Sequence, residues 1–102
     1  IHTTLMAAEK VAKMLDVEMT AEDEVNDDTF VFALKSNKQK DVALQMFDEE
    51  GFEIHANREL QVENGNNYNA LNVESMNDGT YIFKLTDKSG AELTKKVTIK
   101  RD

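Results

Sequence analysis

Apolar and polar positions alternate with a period of two along most of this chain. Phe30, Phe32 and Leu34 share one face of Thr29–Lys35, and Val42, Leu44 and Met46 share one face of Asp41–Phe47. Alternation of this kind sends every second side chain to the same side, so each run predicts a strand with one buried face. Phe52, Ile54 and Ala56 alternate with Glu53, His55 and Asn57, and the pairing continues toward Leu60 and Val62. Leu71 and Val73 alternate with Asn72 and Glu74. Tyr81, Phe83 and Leu85 alternate with Ile82, Lys84 and Thr86. Leu93, Val97 and Ile99 then face inward while Thr94, Lys96, Thr98 and Lys100 face out. Lys95 interrupts that inward row, which predicts an edge or a bulge.

Turn chemistry separates these runs. Ser36-Asn37-Lys38-Gln39-Lys40 is polar throughout, and Asp48-Glu49-Glu50-Gly51 and Asp87-Lys88-Ser89-Gly90 each end on a permissive glycine. Asn64-Gly65 is a hairpin signal, because both residues tolerate positive φ. Residues 16–28 hold seven acids and no base, and Ala21–Asp28 has no periodicity, so it predicts a solvated loop. At the start, Leu5, Ala8, Ala12 and Leu15 recur at helical spacing with Thr4 as cap, whereas Leu15, Val17 and Met19 alternate as in a strand. The prediction there is a short helix or extended lead over residues 1–13, then a first strand near residues 14–20.

About seven short strands spaced by roughly ten residues, without βαβ alternation, predict an all-β antiparallel sandwich. Phe30, Phe32, Leu34, Val42, Leu44, Met46, Tyr81, Phe83, Leu85, Val97 and Ile99 are its expected core. A length of 102 residues suits one domain over residues 1–102. Proline is absent, so edge strands must be protected by charge and twist.

Composition narrows the chemistry. The net charge of -8 disfavours a phosphate backbone, and no apolar run is long enough for a membrane helix. The lack of cysteine removes disulfides, thiolate metal sites and thiol nucleophiles. His2 and His55 are the only histidines, and neither has a second histidine at ligand spacing. His55 is expected to be an exposed cross-strand partner. Ser36, Ser75 and Ser89 lie in or beside turns, where serine bonds local backbone, and no Gly-x-Ser-x-Gly elbow or phosphate loop occurs. No catalytic residue, cofactor or metal ligand is therefore predicted. The acidic run Glu22 to Asp28 lacks the glycine and spacing of a calcium loop and is expected to be solvated. Asn64, Asn66, Asn67 and Asn69 with Tyr68 offer amides and a ring to a sugar, against the plainer reading of a hairpin turn. Residues 84–101 carry six bases against two acids. That basic stretch and the acidic run either offset each other as neighbours or promote contact between molecules. Lys95, Lys96, Lys100 and Arg101 are the candidate partner-binding residues.

Asn77-Asp78-Gly79-Thr80-Tyr81-Ile82-Phe83 resembles the start of strand F in immunoglobulin-like sandwiches, where a tyrosine hydroxyl bonds back to upstream backbone. The resemblance implies structural roles for Gly79, Tyr81 and Gly90. The cysteine pair and tryptophan of antibody domains are missing, so the likeness is to the architecture. From Asp41 to Asp102 the series is more specific: Val42–Phe47, the acidic turn to Gly51, Leu71–Met76, Asp78-Gly79-Thr80-Tyr81, Lys88-Ser89-Gly90 and Lys95–Lys100. It is similar to the C-terminal sorting domain of type IX secretion, and to small secreted bacterial immunoglobulin-like domains of unknown function.

That likeness implies an exported protein, in the periplasm, at the cell surface or outside the cell. The expected function is non-catalytic: an exported bacterial domain that works by protein–protein contact, through an edge strand or charged face. Its partner would be a cell-surface protein or the export machinery. The alternative is the sorting tail of a larger cargo protein, and a carbohydrate-binding accessory module is a further one. The start at Ile1 rather than methionine fits either a removed leader or a fragment.

Overall fold

The structure, a computed structural model, describes residues 14–101. The expected helix or lead over residues 1–13 lies outside the described residues. Eight strands follow in chain order: β1 (Glu18–Ala21), β2 (Glu24–Val25), β3 (Thr29–Ser36), β4 (Lys40–Asp48), β5 (Ile54–Val62), β6 (Gly65–Asn72), β7 (Gly79–Thr86) and β8 (Glu92–Ile99). They form two sheets, ordered β1-β3-β6 and β2-β8-β7-β4-β5. The fold is the expected all-β sandwich. All strand pairs are antiparallel except β2 with β8, which is parallel.

The inward rows meet between the sheets. Phe30, Phe32 and Leu34 from β3 and Leu71 from β6 face Val42, Leu44 and Met46 of β4, Tyr81, Phe83 and Leu85 of β7, and Val97 and Ile99 of β8. All of them are buried. Three phenylalanines sit at the centre. Phe30 stacks on Phe32 at 5.5 Å between ring centroids, and Phe83 meets both edge-on at 5.4 and 5.0 Å. Edge-to-face contacts favour the aromatic quadrupoles and add to the area each ring removes from water. Truncating any one of these rings to alanine removes about 3–5 kcal/mol of stability by transfer and cavity terms.

Three expectations change. The predicted acidic loop contains a strand: Val25 is buried, and β2 lies along the end of β8, with Thr98 and Lys100 N–H groups bonding the Asp23 and Val25 carbonyls. The predicted strand at residues 14–20 is instead a straddle. Met14 bridges Glu92 in the larger sheet, the buried Leu15 and Val17 follow, and β1 then joins the smaller sheet beside β3. Third, the expected inward row Phe52-Ile54-Ala56 is broken. Phe52 and Ile54 are exposed, and only Ala56 packs on the core. The β4–β5 register shifts between Met46 and Phe47, whose partners are Ala56 and Ile54. One extra residue, His55, moves Ile54 to the outer face, as a bulge does.

Candidate functional site

Tyr81 opens the inward row of β7, and its hydroxyl donates to the Asn77 carbonyl at 2.6 Å. The bond spans four residues and ties the loop before β7 to the strand. Burial pushes the Tyr81 pKa upward, the nearby Arg101 guanidinium opposes this, and Asp78, Glu53 and Asp48 add to the rise. Gly79, at φ 154°, begins the strand just before it. A Cβ there would meet the Tyr81 ring at an ordinary 3.9 Å, so its backbone angle rather than a close approach sets it apart. Gly90 has φ 89° in the turn between β7 and β8, where a side chain would be strained.

That turn is organised by Asp87. Its Oδ1 accepts from Ser89 N at 2.9 Å, Ser89 Oγ at 2.7 Å and Ala91 N at 3.1 Å. Its Oδ2 faces Lys40 Nζ at 3.4 Å. These donors, the Ser89 hydroxyl foremost, pull its carboxyl down to about 2. The sequence reading assigns this aspartate to a turn and no more. The available signal is its place two residues before a serine and four before Ala91, where a carboxylate reaches successive backbone N–H groups.

The basic residues separate into two pairs. Lys95 lies among the inward positions of β8, and its Nζ bonds Asp23 Oδ1 at 2.6 Å. Arg101 is drawn inside the domain. Its Nη2 donates to the Val73 carbonyl at 2.6 Å, its Nη1 to the Met76 carbonyl at 2.7 Å, and its Nε to the Asp27 carbonyl at 3.1 Å. The Asp28 and Asp78 carboxylates flank it at 3.2 and 3.6 Å. The expectation for Arg101 is a partner surface; its planar fork of donors matches converging carbonyls and carboxylates, and it gathers two loops instead, the β2–β3 and β6–β7 connections. Lys96 has a side chain 70% exposed and only a 3.9 Å approach to Glu49, and Lys100 is exposed. These two remain exposed to solvent. The acidic run and the basic strand are thus neighbours, and their charges offset each other within the domain through Lys95–Asp23 and Arg101–Asp28.

Other candidates resolve differently. His55, at the bulge, sits edge-on to the Tyr81 ring at 5.1 Å, with Nε2 3.4 Å from Glu53 Oε1. Asp48, Glu53 and His55 bring one donor atom each within 4.8 Å of the others. Asp48 Oδ1 already accepts the Phe52 N–H at 2.8 Å, so the group is explained by a turn bond and the His55–Glu53 contact. Asn66, Asn67, Asn69 and Tyr68, read as a turn, belong to β6; only Glu63 and Asn64 connect β5 to it. The Asn67 amide spans that connection, accepting from Glu63 N and donating to Glu63 O, both at 2.9 Å. Ser36 is buried and bonds Lys38 backbone within its turn. An open groove at one end of the sandwich, about 560 Å³, is lined by Met14, Asp16, Lys38, Lys40, Asp87 and Lys88, of both charge signs. Among the described residues no helix is long and apolar enough to cross a membrane.

Comparison with known proteins adds three findings. The family described as the secretion system C-terminal sorting domain matches residues 26–100, a stretch that runs from the end of β2 through β8. A superoxide reductase (neelaredoxin) from Ignicoccus hospitalis superposes with a TM-score of 0.52 at 14% identity, covering 92% of this chain and 86% of that one. At that identity the likeness is one of fold alone. No curated protein matches the chain.

Proposed function

The chain belongs to the secretion system C-terminal sorting domain family, and on that premise we propose that it is the export signal of a larger cargo protein, read through protein contact and without catalysis. The protein is exported, to the periplasm, the cell surface or the extracellular space. The observation that carries the proposal is the family match across residues 26–100, which takes in most of the sandwich and not a short tail peptide. A signal of this kind is a folded surface. Its recognition therefore depends on what the sandwich leaves exposed.

Lys96 on the last strand and Lys100 just beyond it supply that surface best, since Lys95 and Arg101 are spent on internal bonds. A neighbouring acidic patch on the export machinery would find two lysines free of strong partners, and charge complementarity of this sort acts mainly on association rate and specificity. The match favours this reading over a stand-alone interaction domain and over a carbohydrate-binding module, whose Asn-rich segment is a strand of the sandwich.

The test is a fusion of this chain to the C-terminus of a reporter, expressed in a bacterium with type IX secretion. The reporter should leave the cytoplasm and reach the surface or medium only with the chain attached. The Lys96→Glu/Lys100→Glu double variant should fold normally and lower export severalfold. A reporter that stays inside with the native chain would overturn the sorting role. Equal export by the double variant would move recognition away from the end of β8.

A further inference from the structure

The sandwich protects its strand edges unequally. In the larger sheet, β8 is partly covered by β2, and Lys95 is held there by Asp23. The opposite edge, β5, carries His55, Arg58 and Glu59. In the smaller sheet β1 is only four residues long. Among the described residues the remaining uncovered edge, β6, is eight residues, Gly65–Asn72, with no charge and no proline. Soluble proteins ordinarily blunt a long edge with charge, proline or a bulge, because its free N–H and C=O groups template another strand.

The register says which groups are free. The Val73 N–H bonds the Asp28 carbonyl at 2.8 Å, and the pairing with β3 continues without a shift from Asn72↔Thr29 to Gly65↔Ser36. Alternate residues of an antiparallel strand bond the same neighbour, so Leu71, Asn69, Asn67 and Gly65 turn their backbone groups to β3. Asn66, Tyr68, Ala70 and Asn72 turn theirs to the open edge. These four positions are symmetric about Asn69.

We propose that β6 pairs antiparallel with β6 of a second copy, about a two-fold axis at Asn69, joining the two smaller sheets into one. The pairing sets Asn66 opposite Asn72 and Tyr68 opposite Ala70, so every outward N–H and C=O on both strands finds a partner. A second copy is the occupant that charge favours. The chain carries -8, so two copies repel over most of their surface. The outer face of the smaller sheet is the exception: its strands carry one acid and one base there, Glu18 and Lys35, which are cross-strand partners. The same axis accounts for two exposed apolar side chains. Tyr68 is 78% and Val31 60% exposed. Val31 is the β3 partner of Ala70, so each Tyr68 ring would lie over Ala70 of the second copy, beside its Val31. Aromatic and β-branched cross-strand neighbours are favourable pairs. The interface is isologous and small, which makes the association weak and reversible.

Sedimentation of the chain from about 10 µM to about 1 mM should show a mass rising from 11.6 kDa toward twice that value. Tyr68→Glu, at a side chain the fold does not need, should weaken the association at least tenfold. The register has its own check. The chain has no cysteine, so Asn69→Cys introduces the only thiol. A non-hydrogen-bonded antiparallel pair has Cα atoms about 4.5 Å apart, within disulfide reach. Asn69→Cys should oxidise to a dimer rapidly, and Thr20→Cys, on β1, should not. A mass that stays at 11.6 kDa at about 1 mM, or equal cross-linking at both positions, would overturn the proposal and leave β6 open to a foreign strand.

Discussion

At the scale of single residues, the domain is held by side chains that close loops onto backbone. Asp87 shows how this ties stability to pH. Its carboxyl sits near 2 in the folded chain against about 3.8 in an unfolded one. A group whose folded pKa is depressed stabilises the fold above its unfolded pKa, and the contribution fades as pH falls through the folded value. Asp87→Ala should therefore lower the melting temperature at pH 7, and the gap from the native chain should shrink between about pH 4 and pH 2. A gap that persists unchanged at pH 2 would assign the effect to packing rather than to the ionised carboxylate. Arg101 is legible only in part. The sequence displays a terminal base next to a basic strand, and a partner contact is the natural reading. Nothing local in the chain announces that Val73, Met76 and Asp27 carbonyls converge on it, because those residues lie in loops far from it in sequence. Tyr81 is more legible, since the Asn77-Asp78-Gly79-Thr80-Tyr81 run carries its own geometry in a few consecutive residues.

At the scale of elements, period-two alternation reveals β3, β4, β5, β7 and β8, and for most of them the side that is buried; of β6 it shows only the end at Leu71, because the Asn-rich residues before it carry no apolar period and read as a turn. It misses β2, because two residues cannot display a period. Val25 stands alone among Glu22, Asp23, Glu24, Asp27 and Asp28, and its surroundings read as solvent. What makes it a strand is tertiary: β8 offers an edge, and two β8-side N–H groups find carbonyls there. Alternation also misplaces Ile54, since a single inserted residue at a bulge reverses the faces beyond it. The contrast between Val25 and Lys95 separates apolar from ionic contributions to this edge. Val25→Ala should cost about 2 kcal/mol in urea unfolding, from the lost methyls and the cavity. Lys95→Met should cost well under about 1 kcal/mol, because Asp23 is largely exposed and exposed pairs contribute little. The reverse order would mean that the Lys95–Asp23 pair, not the apolar plug, pins β2 to β8.

At the scale of the whole molecule, the family match and the physical domain have different limits. The matched stretch begins at residue 26, yet the sandwich uses residues before it. Leu15 and Val17 are buried, Met19 and Ala21 pack against the core, and β1 covers the edge of β3 that Phe30, Phe32 and Leu34 depend on. A chain lacking residues 1–21 keeps nearly all of what defines the family and loses part of what makes it fold. Burying the Leu15 and Val17 side chains alone contributes about 3–6 kcal/mol. That is comparable with the whole stability of many small domains, roughly 5–15 kcal/mol. The shortened chain should therefore melt far below the native one, or scatter light as an aggregate through its uncovered β3 edge. If it unfolds, its reporter fusion separates two ways of reading the signal. Export machinery that recognises the folded sandwich would reject the fusion, whereas machinery that recognises an extended segment within residues 26–100 would still export it. Melting temperature and export, measured on the same truncated chain, decide between them. A shortened chain that melts as the native one does would instead show that the straddling lead is dispensable to the fold.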